Sequence, residues 1–595
     1  MTFFAPFTLP FIIGAGVMFV ILLWKYIAWF VALPHADKRL VWHGLPTMAT
    51  LRSVWDVVRD SLLHVSIFRV NPLLGYMHAS LAFGWFLLIA VGWLETIAYM
   101  GLTYVPLQGH VFFKYFAAGH LTHHITVFDF LMDFLLLVVL SGVALAWLKR
   151  MRSRALGMHR TTRHTAGDRA ALSFLWFIFP LRLVAESITA GLYSGGGFLT
   201  GTLGEGLLHL FGQDALASVY ELSWWAYSCA LGGFFVALPF SRYMHIFTEI
   251  PLIFLRNYAL RPTEKGSSYD NFEVQACSRC GVCIDPCQLQ SELGINDVQS
   301  VYFLRDRRHD HLSLSTAANC LMCGRCEAKC PVHLNLNTLR LNSRDAMRNI
   351  PDERRYDYLA GRDCSSGEGR VGYFAGCMTL LTPRTLSAME RIFASTGEKV
   401  WWADRNGGVC CGRPLKLSGE TDSARKMMEY NTTLFRRHGI TTLVTSCPIC
   451  LKVFKEDYRL DGIEVLHHSE YIARLLRSGR LALRAGSEKF TYHDPCELGR
   501  GGGIYEAPRE VISAIGVLTE AAHNRENALC CGSSLANTAI TDAQQLRIAS
   551  SLTAELDSTG AQTIVTACPL CKKALARTAR AQVRDLSEVV ADAIK

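Results

Sequence analysis

Two cysteine spacings carry the chemistry legible in this 595-residue chain. The first is a run of the form C-x2-C-x2-C-x3-C, written twice: Cys277, Cys280, Cys283, Cys287, then Cys320, Cys323, Cys326, Cys330 with Pro331 behind it. In such runs three thiolates in a tight turn hold three corners of an iron–sulfur cube, and the fourth corner comes from the other run. Cys277, Cys280 and Cys283 are therefore expected to share one [4Fe-4S] cluster with Cys330. Cys320, Cys323 and Cys326 are expected to share a second with Cys287. The first run departs in one place: Pro286 precedes its last cysteine instead of following it. Zinc is the competing metal, but structural zinc sites use paired ligands rather than two such runs of four.

The second spacing is a five-sulfur set, also written twice. It reads Cys377, Cys410-Cys411 and Cys447-x-x-Cys450, then Cys496, Cys530-Cys531 and Cys568-x-x-Cys571. The intervening lengths nearly match, 32 and 35 residues against 33 and 36. Adjacent cysteines diverge and chelate a single ion poorly, whereas in a larger cluster one sulfur can bridge while its neighbour is terminal. Five sulfurs thus suit an iron–sulfur assembly better than a mononuclear site. A disulfide framework is the alternative, and short-spaced cysteine groups in a reducing compartment argue against it.

The elements that must position these sulfurs divide the chain by composition. Residues 1–260 are rich in Phe, Leu, Trp and Gly, and nineteen of the twenty cysteines lie beyond residue 270. Five apolar runs, near 9–33, 73–100, 124–148, 170–191 and 217–242, are long enough to cross about 30 Å of hydrocarbon. The N-terminal "MTFFAPFTLPFIIGAG" has no basic leader and no small-residue cleavage site, so it reads as an uncleaved span. Lys and Arg crowd the loops after spans one and three, while 191–216 has none and 101–123 has only Lys114. That bias predicts an N-terminus outside the cell and every clustered cysteine on the cytoplasmic side of the inner membrane. The net charge of +9 lies beside these spans, which argues against a nucleic-acid partner. The rest is expected as a helical two-cluster ferredoxin-like domain over 261–350, then a duplicated α/β unit over 370–480 and 488–595. Apolar runs such as "TTLVTSCPIC" and "QTIVTACPLC" read as buried strands ending at ligands, where open α/β folds place their sites.

His78, near the start of span two, and His245, at the end of span five, are expected at similar depth near the cytoplasmic face. Two imidazoles on facing helices can grip one haem iron; the alternative is that each caps a helix through its backbone. Arg182 and Glu186 in span four, and Asp129 and Asp133 in span three, are candidates to hold a quinone or move protons; the alternative is a structural charge network. The glycine run at Gly499–Gly503 lacks the Lys-Ser/Thr of a phosphate loop and reads as a tight turn beside Cys496. Cys229 and Cys364 read as ordinary residues.

Two resemblances add to these readings. "PFSRYMHIF" with "IPLIFLRNY", the span count and the topology resemble the gamma subunit of respiratory nitrate reductase, a five-span cytochrome b, over about 250 residues. That family carries a second ligand ten residues after the first in span two and another eighteen before the last in span five. Those positions are Leu88 and Tyr227 here, so the resemblance implies one b-type haem, on His78 and His245. A second haem would need other ligands such as His120, His123 or His124, which otherwise read as a solvated outer loop. "YFAGC", "HDPCELGR" and the five-sulfur sets resemble the cysteine-rich CCG domain of the heterodisulfide reductase family, which implies one or two noncubane [4Fe-4S] clusters. The order of the parts resembles membrane oxidoreductases that link electron-transfer flavoprotein to quinone. The expected function is electron passage between a soluble cytoplasmic redox partner, such as that flavoprotein, and membrane quinone in a respiratory chain. Alternatives are a quinol-driven reductase of a disulfide-carrying partner, and a zinc-bearing membrane scaffold without redox work.

Overall fold

The computed structural model describes residues 3–101, 105–119, 126–156, 158, 162–193, 195–262, 266–347, 363–535, 537 and 539–595. His120, His123 and His124 lie outside the described residues. The chain forms two compact units: residues 1–262 with 267–281, and residues 263–266 with 282–595.

The first unit is all-helical. Five helices are long and apolar enough to cross a membrane: α1 (Leu9–Val31), α2 (Pro72–Met100), α3 (Thr126–Met151), α4 (Ala166–Tyr193) and α5 (Gln213–Ala237). Each carries roughly the 20 apolar residues that the hydrocarbon thickness requires. Asn71 starts α2, its side chain accepting from Leu74 N at 3.0 Å, and Pro72 supplies a first-turn residue that needs no donor. Where α1 crosses α5 the contact is backbone on backbone. A Cβ on Gly14 would lie 2.5 Å from the Gly232 carbonyl oxygen, so small residues set the crossing. Phe7, Phe11, Phe112, Trp224 and Phe234 fill the centre of the bundle.

His245 departs from the sequence expectation. It is not the end of span five but the first residue of a separate helix, α6 (His245–Asn257). Pro239 sits in a short turn after α5, and Ser241 is extended, its hydroxyl accepting from Tyr243 N at 3.3 Å. Proline removes a donor and Ser241 caps a new start, so the helix cannot run through.

The second unit holds the sheets. Strands β1 (Val371–Phe374), β2 (Val400–Trp402), β3 (Thr442–Thr445) and β4 (Glu464–His467) form a parallel sheet in the order β2-β1-β3-β4. Strands β5 (Lys489–His493), β6 (Val517–Leu518), β7 (Thr563–Thr566) and β8 (Gln582–Asp585) repeat it as β6-β5-β7-β8. The central strands β3 and β7, each two aliphatic residues between threonines, are buried along nearly their whole length. The order of elements is thus a helical membrane bundle, a two-run cysteine segment and a duplicated α/β unit.

Candidate metal centres

In each sheet the cysteines gather at the carboxyl edge. Cys377 and Cys496 follow the first strand; Cys447 and Cys568 follow the third. Cys447 is the N-cap of α7 (Pro448–Glu456) and Cys568 that of α8 (Pro569–Leu575), with Cys450 and Cys571 inside the first turn. Proline at the first helical position is pre-set for this start. The pair is therefore held together at the start of the helix.

The adjacent pairs close each set. Cys411 lies in hydrogen-bonding contact with Cys410 and Cys450, and Cys450 with Cys447. These contacts hold the Cys411 thiol well below its ordinary pKa. Cys531 contacts Cys530 and Cys571 in the same way. Gly412 N donates to Cys410 Sγ at 3.4 Å and Gly532 N to Cys530 Sγ at 3.5 Å, contacts that tune bound iron–sulfur groups. The tyrosine hydroxyl of Tyr458 donates to the Cys411 carbonyl at 3.0 Å, and Asn431 Nδ2 to that of Cys410 at 2.8 Å. Between Cys496 and Cys530 the glycine run is a tight turn, with Gly501 N donating to the Cys496 carbonyl at 2.9 Å.

Gly376 is required by this edge. Its φ is +81°, and a Cβ there would lie 3.0 Å from Cys450 Sγ. Gly376→Ala is expected to lower stability by about 1–3 kcal/mol through backbone strain. It should also displace Cys450, so iron bound per chain falls while the second set is untouched; denaturant unfolding with iron and sulfide analysis reads both.

The two five-sulfur sets share one buried core, which contains Cys411, Cys447, Cys450, Cys531, Cys568 and Cys571. The second set also meets the ferredoxin-like segment. Cys530 contacts Cys323, and the Gln288 side chain clamps the Cys530 backbone, accepting from its N–H at 2.6 Å and donating to its carbonyl at 3.1 Å. Arg500 Nε donates to the Cys323 carbonyl at 2.7 Å. Cys287, Cys320, Cys323 and Cys326 line one small cavity, together with Cys283. Ser300 Oγ lies 3.2 Å from Cys326 Sγ. The sequence offered no sign of which repeat would adjoin this segment. Among the described residues, no group of three or more His, Cys, Asp or Glu is gathered as for a single metal ion.

The remaining cysteines of the first run belong to the other unit. Cys277 and Cys280 fall before the boundary at Gly281. The cause is a buried ion pair. Arg279, at φ +52°, pairs with Asp168, and Thr162 Oγ1 donates to the Arg279 carbonyl at 3.2 Å. Asp168 also accepts from Arg242 N at 2.8 Å, and the Arg242 carbonyl meets His245 Nδ1 at 2.7 Å. One carboxylate thus fixes both the Cys277–Cys280 loop and the His245 turn. Asp168→Ala would leave Arg279 charged and buried without its carboxylate, and is expected to destabilise by about 3–5 kcal/mol. Asp168→Leu with Arg279→Met is expected to recover most of that in thermal unfolding.

His78 and His245 line one cavity of about 150 Å³. His78 Nε2 is buried and has no hydrogen-bond partner among the described residues. The Nδ1 contact of His245 assigns its N–H to that nitrogen and leaves Nε2 as the basic one, the tautomer a metal ligand needs. Trp85, Trp176, Phe234 and Tyr243 supply apolar walls, and Lys149, Arg150 and Arg242 supply cations suited to carboxylates of a porphyrin. The residues fit a haem. Lys149 Nζ also donates to the Cys280 carbonyl at 3.1 Å, so the cavity wall touches the cysteine loop. Two further histidines line this cavity that sequence reasoning missed, His64 and His164. The His64 ring lies parallel to that of His78 at 5.7 Å, and its Nδ1 is 2.9 Å from the Leu62 carbonyl. Burial lowers the pKa of both, that of His164 to about 4 with Arg242 and Arg150 adding to the effect. Neither sits in an apolar run, so no depth argument could have found them.

Arg182 and Glu186 are buried and paired, Nε to Oε1 at 2.8 Å. Asp129 pairs with Lys114 at 2.5 Å, and Lys114 reaches Glu95 at 2.8 Å. Asp133 instead caps a short helix, accepting from Leu199 N at 2.7 Å, Thr200 N at 2.9 Å and Thr200 Oγ1 at 2.9 Å.

Comparison with known proteins agrees with this arrangement. A cysteine-rich domain model, CCG, matches residues 371–455 and 490–576, and a 4Fe-4S dicluster domain model matches 273–334. The EtfAB:quinone oxidoreductase of Syntrophomonas wolfei is 22% identical over 91% of this chain and 89% of its own. One polypeptide of the dihydromethanophenazine:CoB–CoM heterodisulfide reductase of Methanosarcina barkeri is 27% identical over 54% of this chain and 78% of its own. One polypeptide of the CoM/CoB fumarate reductase of Methanothermobacter marburgensis is 28% identical over 44% of this chain and 60% of its own. The chain carries two CCG domains and a 4Fe-4S dicluster domain, and the relatives that share them are named as oxidoreductases. In sequence these domains follow five apolar helices long enough to span a membrane.

Proposed function

We propose that this chain passes electrons from a soluble flavoprotein of the electron-transfer type to membrane quinone. The observation that carries this reading is the reach of the likeness to EtfAB:quinone oxidoreductase, which includes the membrane helices, whereas the likeness to the heterodisulfide reductase polypeptide covers about half the chain. The overall reaction balances: a reduced flavin gives up two electrons, and quinone takes them with two protons to become quinol.

Cys277, Cys280, Cys283 and Cys330 would hold one cubane [4Fe-4S] cluster and Cys287, Cys320, Cys323 and Cys326 the other. Each five-sulfur set would hold a noncubane cluster, and His78 with His245 one b-type haem. Bound there, these groups supply one-electron transfer between two-electron partners. The protein's own residues order and insulate them. The shared core buries Cys411, Cys447 and Cys450 of the first set and Cys531, Cys568 and Cys571 of the second. Gln288 and Arg500 lock the second set onto Cys323. Asp168 and Lys149 tie the Cys277–Cys280 loop to the histidine cavity. The basic loops support a cytoplasmic position for the iron–sulfur domains, at the inner membrane, where a soluble flavoprotein is available.

The test mixes the purified full chain with photoreduced electron-transfer flavoprotein and a water-soluble quinone. Quinone-dependent flavoprotein oxidation is the expected result. Flavoprotein that stays reduced, while a disulfide substrate re-oxidises the chain, would favour the quinol-driven disulfide reductase, a reading supported by the five cysteines kept in both repeats. Zinc in place of iron would leave only a scaffold.

A further inference from the structure

The membrane unit has a second cavity, of about 60 Å³, that the histidine site leaves unused. Its walls include Leu88 and Tyr227, so an alkyl chain and a phenol face it at those positions. Two polar groups line it. At one, His110 Nε2 donates to the Val105 carbonyl at 2.8 Å, while its Nδ1 is buried with no partner among the described residues. At the other, the Tyr227 hydroxyl faces the Arg182 guanidinium, side chains of residues only 2% and 6% exposed. A buried lone pair with nothing to bind is costly, which marks His110 as a place for a ligand. The rest of the wall is apolar and aromatic. Ile89 and Leu107, 42% and 53% exposed on a unit that faces lipid, form its rim. Trp85 lines this cavity and the histidine cavity alike, so one indole separates them.

The geometry points to this cavity as the seat of a lipid-soluble para-quinone headgroup. Such a ring has two oxygens, an apolar body and access only from the bilayer, and the two polar groups, aromatic walls and lipid-facing rim match each of these. Tyr227 and Arg182 donate to one oxygen. His110 serves the other, its Nδ1 accepting from a quinol hydroxyl or, once protonated, donating to a quinone carbonyl. Reduction takes two electrons, one at a time, from the reduced iron–sulfur and haem chain named above. One proton passes to each oxygen, through His110 Nδ1 and through the Tyr227 hydroxyl, and water replaces both.

This site rests on the quinone reading of the function, and the test separates the two. The full chain with its native cofactors, in lipid nanodiscs, is titrated with a short-tailed 1,4-naphthoquinone, reading quenching of tryptophan fluorescence, to which Trp85 contributes at the site. Re-oxidation of the dithionite-reduced chain by the same quinone is followed in parallel. His110→Ala, Tyr227→Phe and the cavity-filling Leu231→Trp are each expected to weaken binding by about tenfold or more, the loss of one buried contact, with a matching slowing of re-oxidation and an unaltered b-type spectrum. Wild-type binding and re-oxidation in all three variants would overturn the site while leaving the function standing. A wild-type chain that neither binds nor is re-oxidised by the quinone would overturn both.

Discussion

Cys531→Ala is expected to abolish flavoprotein-driven quinone reduction, by at least about 100-fold, beyond the 10–100-fold typical of losses outside the ligand shell. The reason is position. Cys531 joins Cys530 to Cys571, Cys530 touches Cys323, and the same core reaches the first set through Cys447 and Cys568. Removing it opens the second set at its centre and strands the first set from the Cys323 side. Cys411→Ala is expected to remove iron only from the first set, leaving dithionite reduction of the remaining centres intact. Iron and sulfide per chain, with low-temperature electron paramagnetic resonance, separate the two variants. Cys229→Ala, on a membrane helix and outside every set, is expected to change neither iron content nor rate. A Cys531→Ala chain with full iron and full turnover would remove the second set from the account.

His78→Ala and His245→Ala are each expected to eliminate the b-type spectrum while the iron–sulfur absorption survives. A non-covalent haem is held by its axial ligands and by the fit of its pocket, and Trp85, Trp176 and Phe234 cannot replace a coordinate bond. Added imidazole should restore part of the spectrum in His78→Ala, because the space it left is of that size. His64→Ala and His164→Ala line the same cavity and are expected to keep the haem. The four variants together decide which two of four histidines are ligands. Loss in His64→Ala with retention in His78→Ala would reverse the assignment. Quinone reduction in the haem-free variants is expected to fall with the spectrum.

What could be read from the sequence follows physical period. Ligand spacing is covalent and local, so both cysteine runs and both five-sulfur sets stood out from their intervals alone. Spans are set by the thickness of hydrocarbon, so the five apolar helices appeared within a few residues of the expected limits. What escaped depends on tertiary contact. His245 looked like the end of a span because hydropathy runs through Pro239 and Ser241, yet a missing donor and a serine-capped turn over Arg242–Met244 precede a new helix there. Asp133 repeats the four-residue spacing of a charge face with Asp129, but only the fold shows it capping Thr200 while Asp129 takes Lys114. The Gln288 clamp on Cys530 joins residues 242 positions apart, a distance no local pattern spans. The Cys277–Cys280 loop joins the membrane unit through Arg279, whose need for Asp168 becomes visible only when both are buried.

The central claim is that sulfur-held centres and a histidine-held porphyrin form one electrical path in one chain. Stopped-flow mixing of the oxidised, full-length protein with photoreduced electron-transfer flavoprotein, without quinone, tests it most directly. The account predicts bleaching of the iron–sulfur absorption followed by appearance of the reduced b-type bands, with Cys531→Ala blocking the second event. A colourless, iron-free protein, or haem that stays oxidised while the iron–sulfur absorption bleaches fully, would contradict it.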